Sequence, residues 1–169
     1  MLFRSYVGRI LFTMNPDGTG QREFYGSNSY WPNGVFFPKP MAGQPLRVAG
    51  VVSGHHGVPR MGELVVFEPG RGRFEAEGAV VRAGSPEREV KPVILDRLVD
   101  QSWPKFLSPA PMGRHAFLVS AKPTAQSLWG LYYADTFGNL LLLHEDPQWA
   151  ILEPVPLAAR KRPDRKSVV

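Results

Sequence analysis

Glycine and proline interrupt this chain along its whole length. The longest stretch free of both runs from Val93 to Trp103, which is 11 residues. Proline breaks helix interiors and glycine destabilises them, so a helical bundle or coiled coil is excluded. A transmembrane helix of about 20 apolar residues is excluded as well. Because 43% of the residues are hydrophobic and 11% aromatic, the chain is not a disordered Pro/Gly polymer either. We therefore predict a mostly β domain with many turns.

The prolines belong to an internal repeat. Trp31-Pro32 is followed by a Pro-x-Pro-Met unit at residues 38–41, and Trp103-Pro104 by a second at residues 109–112. The two Trp-Pro pairs lie 72 residues apart and the two Pro-x-Pro-Met units 71 apart. Each unit precedes β-rich runs separated by polar turns, predicted at 46–53 and 63–67 in the first copy and at 114–120 and 128–133 in the second. In each copy a final strand is predicted after an acidic turn that contains glycine, most clearly at 140–144.

The N-terminal part is similar to the second half of a third copy. Residues 10–14 and 21–25 are predicted strands, and the turn between them contains Asn15, Asp17 and Gly18, residues that accept the conformations of tight turns. The predicted order is therefore two strands followed by two groups of about four. We predict an all-β fold of antiparallel β-propeller-like blades, about two and a half of them. That number cannot close a ring, so an oligomer, a larger propeller or an open sandwich are the alternatives.

The charge of the chain is concentrated at its C-terminal end. The net charge is +5, and residues 160–166 carry five basic side chains and one acidic side chain. The rest of the chain is then almost balanced, whereas a nucleic-acid-binding domain concentrates Lys and Arg on a folded face. We predict a domain over residues 1–157, a disordered basic tail over 158–169, and no specific nucleic-acid partner.

Two further absences in the sequence limit its chemistry. There is no cysteine, which excludes disulfides, thiolate metal sites and thioether haem attachment within this chain. Residues 1–9 show no apolar secretory segment. The prediction for the chain as written is therefore a cytoplasmic location without a transmembrane segment.

Six segments of the chain carry a resemblance to known proteins. The turn at residues 11–19 resembles TolB-type propeller repeats, and the other five segments are residues 25–33, 52–57, 60–64, 102–107 and 127–130. In this order and spacing these segments resemble the hydrazine synthase α-subunit family, which includes many large planctomycete-type proteins. The resemblance runs from about Arg9 to Leu157.

In that family a β-propeller is combined with domains that bind c-type haem, and the enzyme condenses nitric oxide and ammonium into hydrazine. The resemblance implies the last propeller blades and the middle domain, in a truncated or haem-free relative. Covalent c-type haem needs Cys-x-x-Cys-His, which this chain lacks. Neither haem binding nor catalysis is therefore carried over, and relatives of this kind are extracytoplasmic.

The best polar candidates for a ligand site are His55 and His56, flanked by glycines, with Arg60 close behind. A neutral imidazole in such a loop can bind a ligand or metal or move protons, and Arg60 can clamp an anion. The alternatives are a histidine that shapes the loop through a turn carbonyl and an ion pair of Arg60, for example with Glu63.

These observations favour a non-catalytic domain that acts as a scaffold or binds a protein partner, either a separate protein or the rest of a larger chain. We expect no catalytic residue, no resident cofactor and no metal. The alternative function is a module of a haem- or metal-dependent redox enzyme related to hydrazine synthase, with His55, His56 and Arg60 contributing to a site completed by another chain.

Overall fold

The computed structural model describes residues 10–54, 59–94, 97 and 100–157, so the basic tail lies outside the described residues. Within this part the chain forms strands and turns without an α-helix, and none of it is a helix that could cross a membrane. The strands are β1 (Leu11–Thr13), β2 (Arg22–Tyr25), β3 (Val35–Met41), β4 (Gln44–Val52), β5 (Glu63–Phe67), β6 (Ala79–Arg82), β7 (Lys105–Pro111), β8 (Ala116–Lys122), β9 (Gly130–Asp135) and β10 (Leu140–His144).

The strands form three antiparallel sheets, each an uninterrupted meander. A hairpin of β1 and β2 comes first, then a four-stranded sheet in the order β3-β4-β5-β6 (the first sheet), then another in the order β7-β8-β9-β10 (the second sheet). The predicted all-β class and the order of two, four and four strands are confirmed. Within the described residues every sheet is open, and none closes into a ring.

Two strands differ from the sequence-based expectation. The prolines of both Pro-x-Pro-Met units, which were predicted to precede the strands, lie inside the first strand of each sheet, β3 and β7, and Met112 directly follows β7. These are edge strands, where proline is tolerated because no ladder hydrogen bond is required on the open side. The last strand of the first sheet, β6, is the final strand predicted for the first copy, for which the sequence indicated no bounds.

The sequence repeat is also a repeat of backbone conformation. Phe37 in β3 has φ +52° and Ser108 in β7 has φ +47°, and the two residues are 71 apart. At each of them the pairing with the next strand shifts register, between Phe36 and Lys39 and between Leu107 and Ala110. Both Trp-Pro peptide bonds are cis. The two copies therefore have the same β-bulge in their first strand and the same Trp-Pro conformation before it.

The hairpin packs on one face of the first sheet, which we call the proximal face. Tyr25 and Trp31 are almost completely buried there against Phe67, with ring centroids 4.7 Å and 6.0 Å from it. The Tyr25 hydroxyl donates a hydrogen bond to the carbonyl of Glu75 (2.6 Å) and accepts one from the amide of Gly78 (3.0 Å). Burial raises the pKa of Tyr25 to about 12, so it stays protonated and keeps its donor. This core attaches the hairpin.

The opposite, distal face of the first sheet packs on the proximal face of the second sheet. This larger core is lined from the first sheet by Ala49, Val51, Leu64, Val66 and Ala83, and from the second by Phe106, Phe117, Val119, Ala121, Tyr132 and Ala134. Gly62 and Phe106 add an antiparallel bridge between the chain segments of the two sheets. The first sheet is thus the middle layer of three, which explains why every residue of β5 is buried.

Candidate functional site

The loop that carries the predicted ligand residues is described only in part. His55 and His56 lie outside the described residues, so their role stays a prediction. Arg60 is exposed, and its guanidinium carbon lies 5.8 Å from the centre of the Phe36 ring. Within the described part of the chain Arg60 forms a cation–π contact instead of an ion pair.

Glu63, the residue named as an ion-pair partner for Arg60, is used elsewhere. Its carboxylate lies 3.3 Å from Arg82 Nη2 and accepts a 3.0 Å hydrogen bond from the Ser102 hydroxyl. Arg82 also donates to the carbonyl of Trp103 at 3.1 Å. Glu63, Arg82 and Ser102 are all buried. This group therefore fastens the segment before β7 to the first sheet, which is a structural task.

Lys105 lies beside that group at the start of β7. Only 4% of its surface is exposed, and its ammonium stands 3.9 Å from the centre of the Trp103 ring. Burial lowers the pKa of Lys105, with a smaller opposing effect from the charge of Asp100. The Trp103 ring therefore partly replaces the water that Lys105 loses. Across residues 10–54, 59–94, 97 and 100–157, no group of three His, Cys, Asp or Glu side chains is placed to hold a metal ion.

The distal face of the second sheet is an apolar surface that no other sheet covers within the described residues. Two rows of paired residues cross it, and partners in a row share a face. The rows are Leu107, Ser120, Leu131 and His144, then Ala110, Leu118, Tyr133 and Leu141. Ser120 is buried beneath its neighbours, four large residues are half-buried, and Leu141 is 60% exposed. We call this surface the distal apolar face.

A second feature lies where the two sheets separate. A cleft of about 400 Å³ opens between the distal face of the first sheet and the two turns β7–β8 and β9–β10 of the second. Its walls carry three arginines and a histidine, namely Arg47, Arg88, Arg114 and His115. Its apolar lining consists of Val66, Val80, Val81 and Phe137, with Thr136 and Glu89 as further polar residues. We call it the arginine cleft.

The turns of the second sheet hold their side of the arginine cleft rigidly. His115 Nδ1 is 2.9 Å from the Thr136 hydroxyl, and the amide of Thr136 donates a 2.9 Å hydrogen bond to the carbonyl of His115. The imidazole also contacts the Phe137 ring in a tilted arrangement, with ring centroids 5.1 Å apart. The β9–β10 turn is itself organised by Asp135, which accepts hydrogen bonds from the amides of Phe137 and Asn139.

Sequence reasoning did not identify the arginine cleft. Arg47, Arg88 and Arg114 are far apart in the chain and form no motif, and His115 stood out only as one of four histidines. The nearest usable signal is the repeat itself, because stacking two blade-like copies brings the turns of one beside the strands of the other. No family model, no curated protein and no solved structure matches the chain. The site must therefore be interpreted from its own geometry.

Proposed function

We propose that this chain is a non-catalytic scaffold built of propeller-like blades, which binds a further β-sheet through its distal apolar face. The observation that carries the proposal is the apolar character of that face. An antiparallel sheet covered on one side alternates apolar and polar residues. The second sheet instead has apolar side chains on both faces, as expected of a sheet that is covered on both.

The repeat indicates what kind of partner would cover this face. The bulge residues Phe37 and Ser108 mark equivalent positions in the two sheets. The preceding residues, Phe36 and Leu107, therefore correspond to each other, and so do the residues that pair with them on the neighbouring strands. The corresponding cross-strand rows are Phe36, Val51 and Leu64 in the first sheet and Leu107, Ser120 and Leu131 in the second. The row in the first sheet is covered by the next sheet along the chain. By the same packing, the equivalent row would take another sheet with a proximal face like that of the second sheet.

In a second copy of the chain the proximal face of the second sheet is already covered by the first sheet, but its own distal apolar face can supply the covering sheet, so purified protein should associate as its concentration rises. Leu141→Lys places a charge on the distal apolar face and should weaken self-association about tenfold or more, because burying a leucine contributes about 1.5–3 kcal/mol. Sedimentation equilibrium measures this. Leu46→Lys is the matched control, since Leu46 is 66% exposed and lies in the first sheet. A monomer at every concentration, or association unchanged by Leu141→Lys, would contradict the proposal.

The resemblance to the hydrazine synthase α-subunit family supports the same role, because the segments that carry it imply propeller blades. The resemblance itself stays a prediction, as does the cytoplasmic location. In this proposal the blades would form part of a larger ring or assembly.

The alternative, a module of a haem- or metal-dependent enzyme acting through His55, His56 and Arg60, also stays a prediction. It is tested by expressing the protein with haem and trace metals, then recording the absorption spectrum and the metal content. Stoichiometric haem or metal that is lost on His55→Ala with His56→Ala would support it. A protein with neither would leave the scaffold proposal as the better account.

A further inference from the structure

We infer that the arginine cleft binds a small organic oxyanion, a phosphate or carboxylate group attached to an apolar body. The inference does not depend on the distal apolar face, because the arginine cleft lies between two sheets of one chain. Three lines of observation carry it: the charge of the lining, the way the cations are held, and the apolar floor.

The lining of the arginine cleft has more positive charge than its own carboxylates neutralise. Three arginines line it against the single carboxylate of Glu89. Arg47 shares Glu68 with Arg71, at 2.7 Å and 3.1 Å. Across the described part of the chain, neither Arg88 nor Arg114 forms an ion pair, and both side chains are exposed. Two guanidinium groups are therefore available to an anion, and a guanidinium matches the two oxygens of a carboxylate or phosphate.

The backbone positions of these arginines are fixed from several sides of the cleft. The carbonyl of Arg114 accepts a 2.9 Å hydrogen bond from the side chain of Gln44, which belongs to the first sheet. The carbonyl of Arg88 accepts one from the amide of Arg82, also at 2.9 Å. The Arg47 guanidinium is oriented by two hydrogen bonds to one oxygen of Glu68. The Arg47 guanidinium is thus oriented before binding, whereas only the backbone is held at Arg88 and Arg114; this partial preorganisation reduces the entropy that a ligand must remove.

The apolar floor of the arginine cleft indicates the chemistry of the uncharged part of the ligand. Val66 and Val81 are paired on the distal face of the first sheet, and Phe137 projects from the β9–β10 turn. A concave, mostly apolar site of about 400 Å³ is typical of small-molecule sites. A nucleic acid or another polyanion would instead require an extended basic surface. The arginine cleft therefore favours a compact ligand with one anionic end.

Naphthyl phosphate, naphthoate and naphthalene methanol are suitable probes, because they share a ring and differ in the charged group. Isothermal titration calorimetry of the full chain should give saturable binding of at least one of the two anions and much weaker binding of the neutral alcohol. The tighter anion identifies the preferred group. Arg88→Gln combined with Arg114→Gln should reduce anion affinity about tenfold or more, since two charge-assisted hydrogen-bonding groups are lost.

Arg22→Gln is the matched control, because Arg22 is exposed on the hairpin strand β2 and lies outside the cleft lining. It removes one charge and should leave affinity unchanged, and both proteins should melt like the parent chain. The inference is overturned if neither anion binds at millimolar concentration, if the alcohol binds equally well, or if the double variant binds like the control. Tighter binding of duplex DNA than of naphthyl phosphate at equal salt concentration would also overturn it.

Discussion

Asp135 shows how much one side chain contributes to the architecture. Only 4% of it is exposed. One oxygen accepts hydrogen bonds from the amides of Phe137 and Asn139, both at 2.9 Å, and the other accepts from the Asn139 side chain at 2.7 Å. Burial raises the pKa of Asp135, but these hydrogen bonds outweigh it and hold the pKa below its usual value. The charged form is therefore the one that stabilises the β9–β10 turn.

Because the pKa of Asp135 is lower in the folded protein than in the unfolded chain, the free energy of unfolding depends on pH. The folded pKa of Asp135 lies below the unfolded value of about 3.9, so its stabilisation is complete above that value and is lost as the pH falls through the folded pKa. Asp135→Asn should lower the free energy of unfolding at neutral pH by about 1–3 kcal/mol. Urea unfolding at neutral and acidic pH should show this difference shrinking below about pH 4. A difference that is constant across the whole pH range would contradict the assignment.

Buried ionic groups were not predictable from residue type alone. Glu63 was named as one example of an ion-pair partner in the alternative interpretation of Arg60, but it pairs with Arg82. Adjacent positions on a strand point to opposite faces, whereas paired strands bring distant residues to the same face. Val65 pairs with Arg82 across β5 and β6, so Arg82 and Glu63 share the proximal face. Both charged residues can be read from the sequence, but the pairing register of β5 and β6 that brings them together is seen only in the structure.

Tight turns connect the strands. Two glycines in these turns show the difference between a position where only the backbone conformation requires glycine and a position where tertiary packing requires it as well. Gly18 in the β1–β2 turn has φ +83°, and an added Cβ would have nothing within 4 Å of it. Gly138 in the β9–β10 turn has φ +99°, and an added Cβ would lie 2.8 Å from the carbonyl oxygen of Ser85. Both need a conformation that favours glycine, but only Gly138 also lies against another part of the fold.

The same substitution should therefore have unequal costs at the two turns. Gly18→Ala should lower the free energy of unfolding by about 1–2 kcal/mol through backbone conformation alone. Gly138→Ala should add the cost of a steric clash, about 1–3 kcal/mol more. Thermal and urea unfolding of both variants measures the difference. Equal losses would show that the contact between the β9–β10 turn and Ser85 adds nothing to stability.

Strand positions were predictable where apolar periodicity is strong and less so where proline or polar residues dominate. The regions of β5, β8, β9 and β10 were predicted, with shifts of two residues at the start of β8 and β9. The proline-containing β3 and β7 were not, because proline argues against a strand until its edge position is known. The final strand of the first copy was predicted without bounds, and the structure places it at β6, a short strand that pairs with the completely buried β5. Such pairing is a tertiary constraint that local sequence does not encode.

The stacked layers hold the whole molecule together through the core between the two four-stranded sheets. Phe106 is completely buried in it, and its own backbone bridges to Gly62. An added Cβ at Gly84 would lie 2.9 Å from the Phe106 ring, so the ring packs against the backbone just after β6. Phe106 therefore joins the second sheet to the segment that precedes β5 and to the segment that follows β6.

Phe106→Ala should accordingly destabilise the entire fold. Removing a buried phenylalanine side chain costs about 3–5 kcal/mol, and urea unfolding should show that loss. Phe12→Ala is the control, because Phe12 is 64% exposed on the hairpin; that variant should lose less than about 0.5 kcal/mol. Similar losses in the two variants would show that the two sheets do not stabilise each other.

Local patterns in the chain were sufficient to predict the fold class, the repeat and the order of two, four and four strands. These patterns are apolar periodicity, turn residues, and glycines and prolines that forbid long helices. The packed structure was needed to learn which faces are covered, which charges pair and where the arginine cleft lies. Each of these depends on how separate strands align and on the way one sheet stacks against another. Arg47, Arg88 and Arg114 become neighbours only after the two copies pack together, so no spacing along the chain could reveal their shared site.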